Sequence, residues 1–334
     1  MAAATILILT NGTVPSNPPA GQLSLYFDSS GPAPSAKVLD STGVIYPLAL
    51  NRPSTNDFRL TGVSATPVMT ADSTVLSTLY LTPYKGQRIG LYNGTSWEDL
   101  PSAEVSIAVS GRTTDLPFDV FAYNNSGTLT LELLDWTSAT ARATALVRQD
   151  GVWCKTGVLT RRWVGTVRAR SATTFHWVRA GVDLPCKFDL FNADNRVAQS
   201  YKLTATTNTW DYTLATWRQA QASANYQVDV MAGLQEESLL GNLLTTSRNS
   251  TISIARYCGI GFDSTTAITS LGAGTANTVA SINAHQNASI AHQPTIGRHY
   301  YAWLEYSVAT GTCTWLGDDG GLLIQSGMTG TWTC

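Results

Sequence analysis

Apolar and polar residues alternate along this chain in short segments, and turn-forming residues interrupt them every eight to fifteen positions. The clearest case is residues 118–123, then Asn124-Asn125-Ser126-Gly127, then residues 128–134. Leu129, Leu131 and Leu133 fall on one face of the second segment, and Thr128, Thr130 and Glu132 on the other. A period of two is what a half-buried strand requires, and Asn and Gly tolerate the positive φ of a tight turn. The same pattern recurs at Leu91-Tyr92-Asn93-Gly94-Thr95-Ser96-Trp97, at residues 38–45 and around Asp150-Gly151. It predicts an all-β protein whose function lies on surfaces rather than in a buried catalytic pocket.

Segment spacing suggests how the chain is divided. Residues 1–50 read as strands interrupted by a patch from Pro15 to Pro19 and by Gly31-Pro32-Ala33-Pro34, an N-terminal β region. Residues 51–73 are polar and contain prolines, which suits a linker or exposed loop. With a hairpin ending at Trp97 they fill residues 51–100. Residues 101–170 are dense enough in strand signals for a central β domain, with Val105, Ile107 and Val109 alternating and a further strand through residues 161–170. Residues 171–334 show longer strands, as in a β-sandwich or jelly roll. The best helix signal is at residues 137–147, and no long-period repeat implies a solenoid.

Composition narrows the classes. Only 13% of residues are charged, and Thr, Ser, Asn and Gly supply the polarity, which suits strands packed on both faces. A net charge of −2 does not point to nucleic acid or to an anionic membrane. No apolar run approaches the ~18–20 residues of a helical membrane span, and residues 1–10 lack the basic start of a secretory signal. The expected place of synthesis is the cytoplasm. The five cysteines, Cys154, Cys186, Cys258, Cys313 and Cys334, are odd in number and far apart, so reduced thiols are expected. The five Asn-x-Ser/Thr sequons then follow from an Asn- and Thr-rich composition.

Four features of the sequence bear on chemistry. Residues 142–179 carry seven arginines and Lys155 against one acid, Asp150. Alternation along residues 161–170 puts Arg162, Arg168 and Arg170 with Val164 and Thr166, opposite Trp163, Gly165 and Val167. Such a cluster suits an anion or sugar-phosphate patch, but a solvated or inter-subunit face paired with acids from elsewhere is favoured in a near-neutral chain. The ten tryptophans and thirteen tyrosines include His299, Tyr301 and Trp303 alternating with Tyr300, Ala302 and Tyr306, a strand expected to be covered on both sides. Exposed aromatics stack on sugars, although core or interface packing is the commoner role. Glu236-Glu237 and Asp318-Asp319, adjacent on a strand, would point to opposite faces and not converge on a substrate. His285, His292 and His299 recur every seven residues in a stretch read as loop, without the Cys or carboxylate partner of a zinc site. Gly-x-Ser-x-Gly, His-Glu-x-x-His and phosphate-binding glycine loops are absent. The reading is therefore not an enzyme, with no cofactor and no metal.

Several segments resemble tailed-bacteriophage tail fibres and related virion proteins. They are Ser24-Leu25-Tyr26-Phe27-Asp28-Ser29-Ser30-Gly31 with residues 38–47, and Leu81-Thr82-Pro83-Tyr84-Lys85-Gly86 with residues 90–97. The longest runs from Asp150-Gly151-Val152-Trp153-Cys154 through residues 161–166 and 191–197 to Trp210, Trp217-Arg218-Gln219 and residues 259–264. It ends with residues 300–306 and Thr314-Trp315-Leu316-Gly317-Asp318. Phe191 and Ala193 stand where such proteins often carry Tyr or Trp, so a shared ligand site is not carried over.

The resemblance implies a structural protein of the phage virion, most simply a trimeric tail fibre or receptor-binding protein. A capsid decoration or head-fibre protein and a glycan-cleaving tail spike are the alternatives. Residues 1–100 would attach to other virion proteins, and the region after residue 171 would face outward. The expected partners are further copies of the chain, other virion proteins and a host cell-surface polysaccharide, with no nucleic acid and no membrane insertion. The polysaccharide would meet Trp or Tyr stacking and Asn or Asp hydrogen bonds in C-terminal loops, and His285, His292, Trp315 and Asp318 are the candidate contacts.

Overall fold

The computed structural model describes residues 14–28, 35–47, 54–272, 274–321 and 324–334. The apolar start at residues 1–10, the sequon at Asn11, the Gly31-Pro32-Ala33-Pro34 patch and Ser29-Ser30-Gly31 of the resembling segments lie outside them. The described residues are β throughout, and the only helical turn among them is the 3-10 turn Ala220–Ala222. The segment at 137–147 is not a helix. It is a bend leading into the strand Leu146–Gln149. Thr137 N–H and Oγ1 both donate to Ala141 O, at 2.9 and 3.1 Å. Such local hydroxyl bonds compete with helical ones, and Arg142 is drawn away to Asp119 and the Gly233 carbonyl.

The turn signals place the hairpins. Pro117–Asn125 pairs antiparallel with Thr128–Asp135 across Ser126 and Gly127, both at positive φ. Asp150 and Gly151 close the hairpin Leu146–Gln149/Val152–Lys155 in the same way. At residues 93–96, Asn93 Oδ1 accepts from Thr95 N and Ser96 N at 2.8 Å each, joining Arg88–Tyr92 to Trp97–Pro101.

Residues 101–170 supply most of a six-stranded sheet ordered Thr128–Asp135, Pro117–Asn125, Val158–Arg168, Val152–Lys155, Leu146–Gln149, with Leu190–Asn192 also paired to Val158–Arg168. Strand pairing thus runs across residue 170. Simple alternation fails in Val158–Arg168, because the register against Pro117–Asn125 skips Val164. This bulge puts Trp163 and Thr166 on one side, where both donate to Asp119 Oδ1, at 3.0 and 2.6 Å. Arg162 therefore faces away from Arg168 and Arg170, a correction to the expected shared face.

Two eight-stranded sheets build the rest. The first runs Gly274–Ala276, Ala255–Phe262, Gly297–Ser307, Gln227–Ala232, Cys186–Phe188, Phe175–Val178, Ser73–Leu76, with Trp217–Gln219 on the far part of Gly297–Ser307. The second runs Ala180–Val182, Ala198–Thr204, Gly327–Thr333, Leu239–Asn249, Ala284–His292, Leu271–Gly272, extended by Cys313–Leu316 and Thr209–Tyr212. They pack face to face as a sandwich. Phe188 and Tyr201 meet edge to face at 6.3 Å across it, and Arg256 Nε donates to Ser247 Oγ at 2.7 Å. Gly297–Ser307 is buried on both faces through Tyr301–Glu305, as its aromatic alternation implied.

Residues 51–73, expected as linker, contain the strand Phe58–Thr61, buried at all four positions. Asn192 holds it, accepting from Leu60 N and donating to Leu60 O, and Arg59 reaches the carbonyls of Pro67 and Cys334. One apolar core consequently runs from Phe58 to Cys334.

Candidate functional site

Of the four candidate contacts, Trp315 is wholly buried on Cys313–Leu316 and presents no ring to a ligand. His285 and His292 are on the strand Ala284–His292 rather than in a loop. The inward positions there are Gln286, Ala288 and Ile290, whose weak apolar contrast hid the alternation. His285 is exposed, with Nδ1 at 2.8 Å from Thr246 Oγ1. His292 packs on Phe262 at 4.2 Å between ring centroids and bonds the Tyr301 hydroxyl. Burial and the neighbouring His299 push its pKa down. Asp318 caps its own turn by accepting from Gly320 N. The four do not converge: the two histidines stand at opposite ends of a nine-residue strand, and Trp315 faces the core.

The basic stretch is not an open anion patch. Arg168, Arg170 and Arg298 surround Asp229 and Asp189 in a buried network, with Asp115 outside it at 2.8 Å from Arg168. Arg142 pairs with Asp119, Arg162 with Asp194, and Lys155 and Arg161 with Glu132. Glu236 and Glu237, in a turn rather than a strand, both hold Arg196, at 2.7 and 3.0 Å. Each of these acids is thus matched to a cation. Arg148, Trp153, Arg162, Asp194, Arg196 and Glu236 line a polar recess, with its charges already paired.

A second recess is built otherwise. Trp217, Tyr306 and Tyr257 occupy directly opposed positions on three adjacent strands of the first sheet, so all three project from one face. Ring centroids lie 5.4 Å apart for Trp217–Tyr306 and 5.7 Å for Tyr306–Tyr257, with planes inclined at 53° and 73°. The three rings alone line the cleft between them. Tyr257 is 39% exposed, and the other two are half-buried. Gly274 stands opposite Tyr257 on the next strand, where a Cβ would overlap the tyrosine ring. At Gly259 a Cβ would press on Ile268 and touch the Trp217 ring.

The rings are held from behind. Glu305 is fully buried, and its carboxylate accepts from Trp210 Nε1 and Arg218 Nε, both at 2.7 Å. Arg218 also lies over the Tyr212 ring at 3.8 Å, so the three-residue strand bearing Trp217 is tied to its neighbours by more than its own ladder bonds. Burial pushes Glu305 up to about 7, against the opposing pull of Arg218 and the Trp210 hydrogen bond. The cleft therefore offers apolar ring faces edged by two phenol hydroxyls and an indole N–H, with no carboxylate in its lining. That chemistry suits the C–H faces and hydroxyls of a neutral sugar.

Nothing in the sequence brings these three together. Trp217 and Tyr306 were visible as conspicuous aromatics, but only the strand register makes them neighbours of Tyr257. Among the described residues no cluster of His, Cys, Asp and Glu forms a metal site, and no helix is long and apolar enough to cross a membrane. All five cysteines are buried and free, with burial pushing Cys154, Cys258 and Cys313 up to about 11 and Cys186 and Cys334 to about 12.

No protein-family model matches the chain, and no curated protein does. Solved structures show only weak likeness. A Bacillus thuringiensis Cry1Da tryptic core variant has TM-score 0.22 and 8% identity, over 77% of this chain and 48% of that one. The structure of infectious bursal disease virus Gx strain has TM-score 0.26 and 13% identity, over 80% and 72%. An exo-β-1,3-galactanase from Phanerochaete chrysosporium has TM-score 0.16 and 11% identity, over 93% and 78%. The chain spans about half the length of the Cry toxins it matches, 48% and 51% for Cry1Da and Cry8Ea1. At these scores the likenesses carry neither fold nor function to this chain.

Proposed function

We propose that the chain is a structural protein of a tailed-phage virion, a tail fibre or receptor-binding protein, that attaches to a neutral host-surface polysaccharide through the cleft of Trp217, Tyr306 and Tyr257. The observation that carries the ligand half is the set of three opposed aromatic rings on the outward face of one sheet. The virion half rests on the resemblance of its segments to phage fibres, supported by the all-β architecture. Attachment, not catalysis, is the proposed activity. Glycoside hydrolysis needs two carboxylates about 5–10 Å apart flanking the bond. No carboxylate lines this cleft, and Glu305, next to Tyr306 on its strand, is buried beneath the rings and bound to Trp210 and Arg218.

In the same reading residues 1–100 dock on other virion proteins, and several copies act together, so that weak single sites gain avidity. The test is adsorption of labelled protein to host cells, with purified host polysaccharide as competitor. Binding that the polysaccharide abolishes, and that Trp217→Ala weakens, is expected. Adsorption indifferent to both would overturn the ligand assignment. Release of oligosaccharides from the capsule would establish a tail-spike hydrolase instead. Antibody labelling confined to capsid lattice positions would favour a head-decoration protein.

A further inference from the structure

Among the described residues, one wholly buried cation has no acid beside it. Arg256 sits on the inward side of Ala255–Phe262, with Tyr257 of the aromatic cleft turned the other way. Its guanidinium crosses to the second sheet and meets only neutral acceptors. Nε donates to Ser247 Oγ at 2.7 Å, and Nη2 donates to Ser247 O and Asn277 Oδ1, both at 3.1 Å. The buried Arg162 and Arg168, by contrast, each reach a carboxylate. Glu305, on the same inward side two residues before Ser307, is taken up by Arg218 and Trp210. Cys313 lies near the guanidinium, but burial pushes its thiol up to about 11, so it is neutral at pH 7. Arg256 Nη1 and Ser307 Oγ are both buried without a hydrogen-bond partner, and the two residues are directly opposed on adjacent strands.

We infer that Arg256 and Ser307 bind a small monovalent anion, chloride in class, between the two sheets. Arginine keeps its charge inside a protein, and a buried charge is tolerated where it is paired as well as hydrogen-bonded. The neutral acceptors satisfy Nε and Nη2 but leave the charge uncompensated. A water at Nη1 would satisfy one more donor and leave the charge as it was. A halide accepts from Nη1 and from the Ser307 hydroxyl, which rotates to suit, and it neutralises the guanidinium. One positive charge and two donors in an enclosed position match one monatomic ion. Sulfate or phosphate would bring a second charge and more oxygens than these two residues can serve. The loops over this end are tied down, with Ser253 N donating to Asn277 O at 2.7 Å and Ser281 N to Asn249 O at 2.8 Å. An ion held there joins both sheets to those loops, and it stabilises the fold according to its concentration.

The experiment is urea unfolding of the full chain at pH 7 and constant ionic strength, with sodium gluconate replaced stepwise by sodium chloride. Gluconate is too large for an enclosed site. The wild-type midpoint should rise with chloride, and well above the dissociation constant each tenfold increase should multiply the folding constant about tenfold. Bromide should act in the same way. Arg256→Met removes the charge at similar length and should abolish the chloride dependence. Ser307→Ala keeps the cation and removes one donor, so it should need more chloride for the same gain. Should Arg256→Met fail to fold, Ser307→Ala and anomalous scattering from wild-type crystals grown in bromide carry the test, with a peak expected between Arg256 Nη1 and Ser307 Oγ. Equal wild-type midpoints in chloride and gluconate would overturn the inference. So would a chloride gain undiminished in the variants, or bromide crystals without that peak.

Discussion

The Glu305 carboxylate accepts the Arg218 Nε–H at 2.7 Å, and each residue adjoins a wall of the aromatic cleft, Tyr306 after Glu305 and Trp217 before Arg218. One buried charge pair thus fixes the spacing of two ligand-facing rings from behind. Its strength depends on the ionisation of a carboxyl that burial opposes.

That dependence has a sign. Unfolded, Glu305 ionises at its ordinary value of 4.5, and folded it holds its proton up to about 7. Between these values the folded state binds more protons than the unfolded one, so this group's contribution is greatest below pH 4.5 and declines as pH rises to about 7. Across that window the loss is on the order of 3 kcal/mol. Glu305→Gln should flatten the decline. Denaturant midpoints at several pH values, wild type against variant, measure it, and parallel curves would count against the assignment. Asp119, also raised by burial, contributes a residual slope of the same sign. Glu104, Glu132, Asp183 and Asp263 are held below their ordinary values because hydrogen bonds outweigh burial, so their contribution is lost in the acid range instead.

The hairpins were legible because their signals are local. Asn93-Gly94 and Asp150-Gly151 specify turns whatever surrounds them. The strand 299–306 was legible because both its faces are aromatic. What stayed hidden depended on partners far along the chain. The bulge at Val164, which turns Arg162 away from Arg168, exists only against Pro117–Asn125. Residues 137–147 look moderately helical until Arg142 is pulled to Asp119. Trp315 reads as a loop residue because a four-residue strand among turn residues leaves little pattern. The cleft is a matter of register between three strands, which no single segment encodes.

The buried network around Asp229 makes a stability prediction. Its carboxylate meets Arg168, Arg170 and Arg298, at 3.2, 3.0 and 2.8 Å. Asp229→Ala leaves those cations facing each other with Asp189 as their remaining buried acid, and should cost about 3–5 kcal/mol in equilibrium unfolding. The loss should fall on the contact between the six-stranded sheet and the sandwich, since Arg168 belongs to one and Arg298 to the other. Hydrogen exchange that accelerates on Val158–Arg168 and Gln227–Ala232 together would locate it there.

Gly165 predicts a steric failure. A Cβ at this position would overlap the Phe191 carbonyl oxygen and approach Leu60 Cδ1 at 2.7 Å. The bulge leaves no slack, because Gly165 is paired with Val120 on one side and Asn192 on the other. Gly165→Ala should destabilise by about 1–3 kcal/mol, as overpacking in a filled core does. Gly94→Ala, where nothing lies within 4 Å but φ is +104°, provides the contrast of conformational strain without crowding. Urea midpoints of the two variants separate these causes, and an undisturbed Gly165→Ala would refute the close approach.

The cleft itself gives the most direct prediction. Trp217 is the largest ring in it and is half-buried on a short edge strand, so Trp217→Ala removes stacking area while leaving the Glu305–Arg218 pair intact. An aromatic contact contributes about 0.5–1.5 kcal/mol beyond its buried area, which corresponds to a loss of about two- to tenfold in single-site affinity. Tyr306→Phe keeps the ring and removes the hydroxyl. It should cost less if stacking dominates, and as much if the phenol anchors the sugar. Gly274→Val acts from the other side, since any side chain there displaces Tyr257. Titration of immobilised host polysaccharide with each variant in monomeric form reads these affinities without avidity. Equal binding by all three would remove the cleft as the attachment site and leave the polar recess of Arg148, Trp153 and Asp194 as the next place to test.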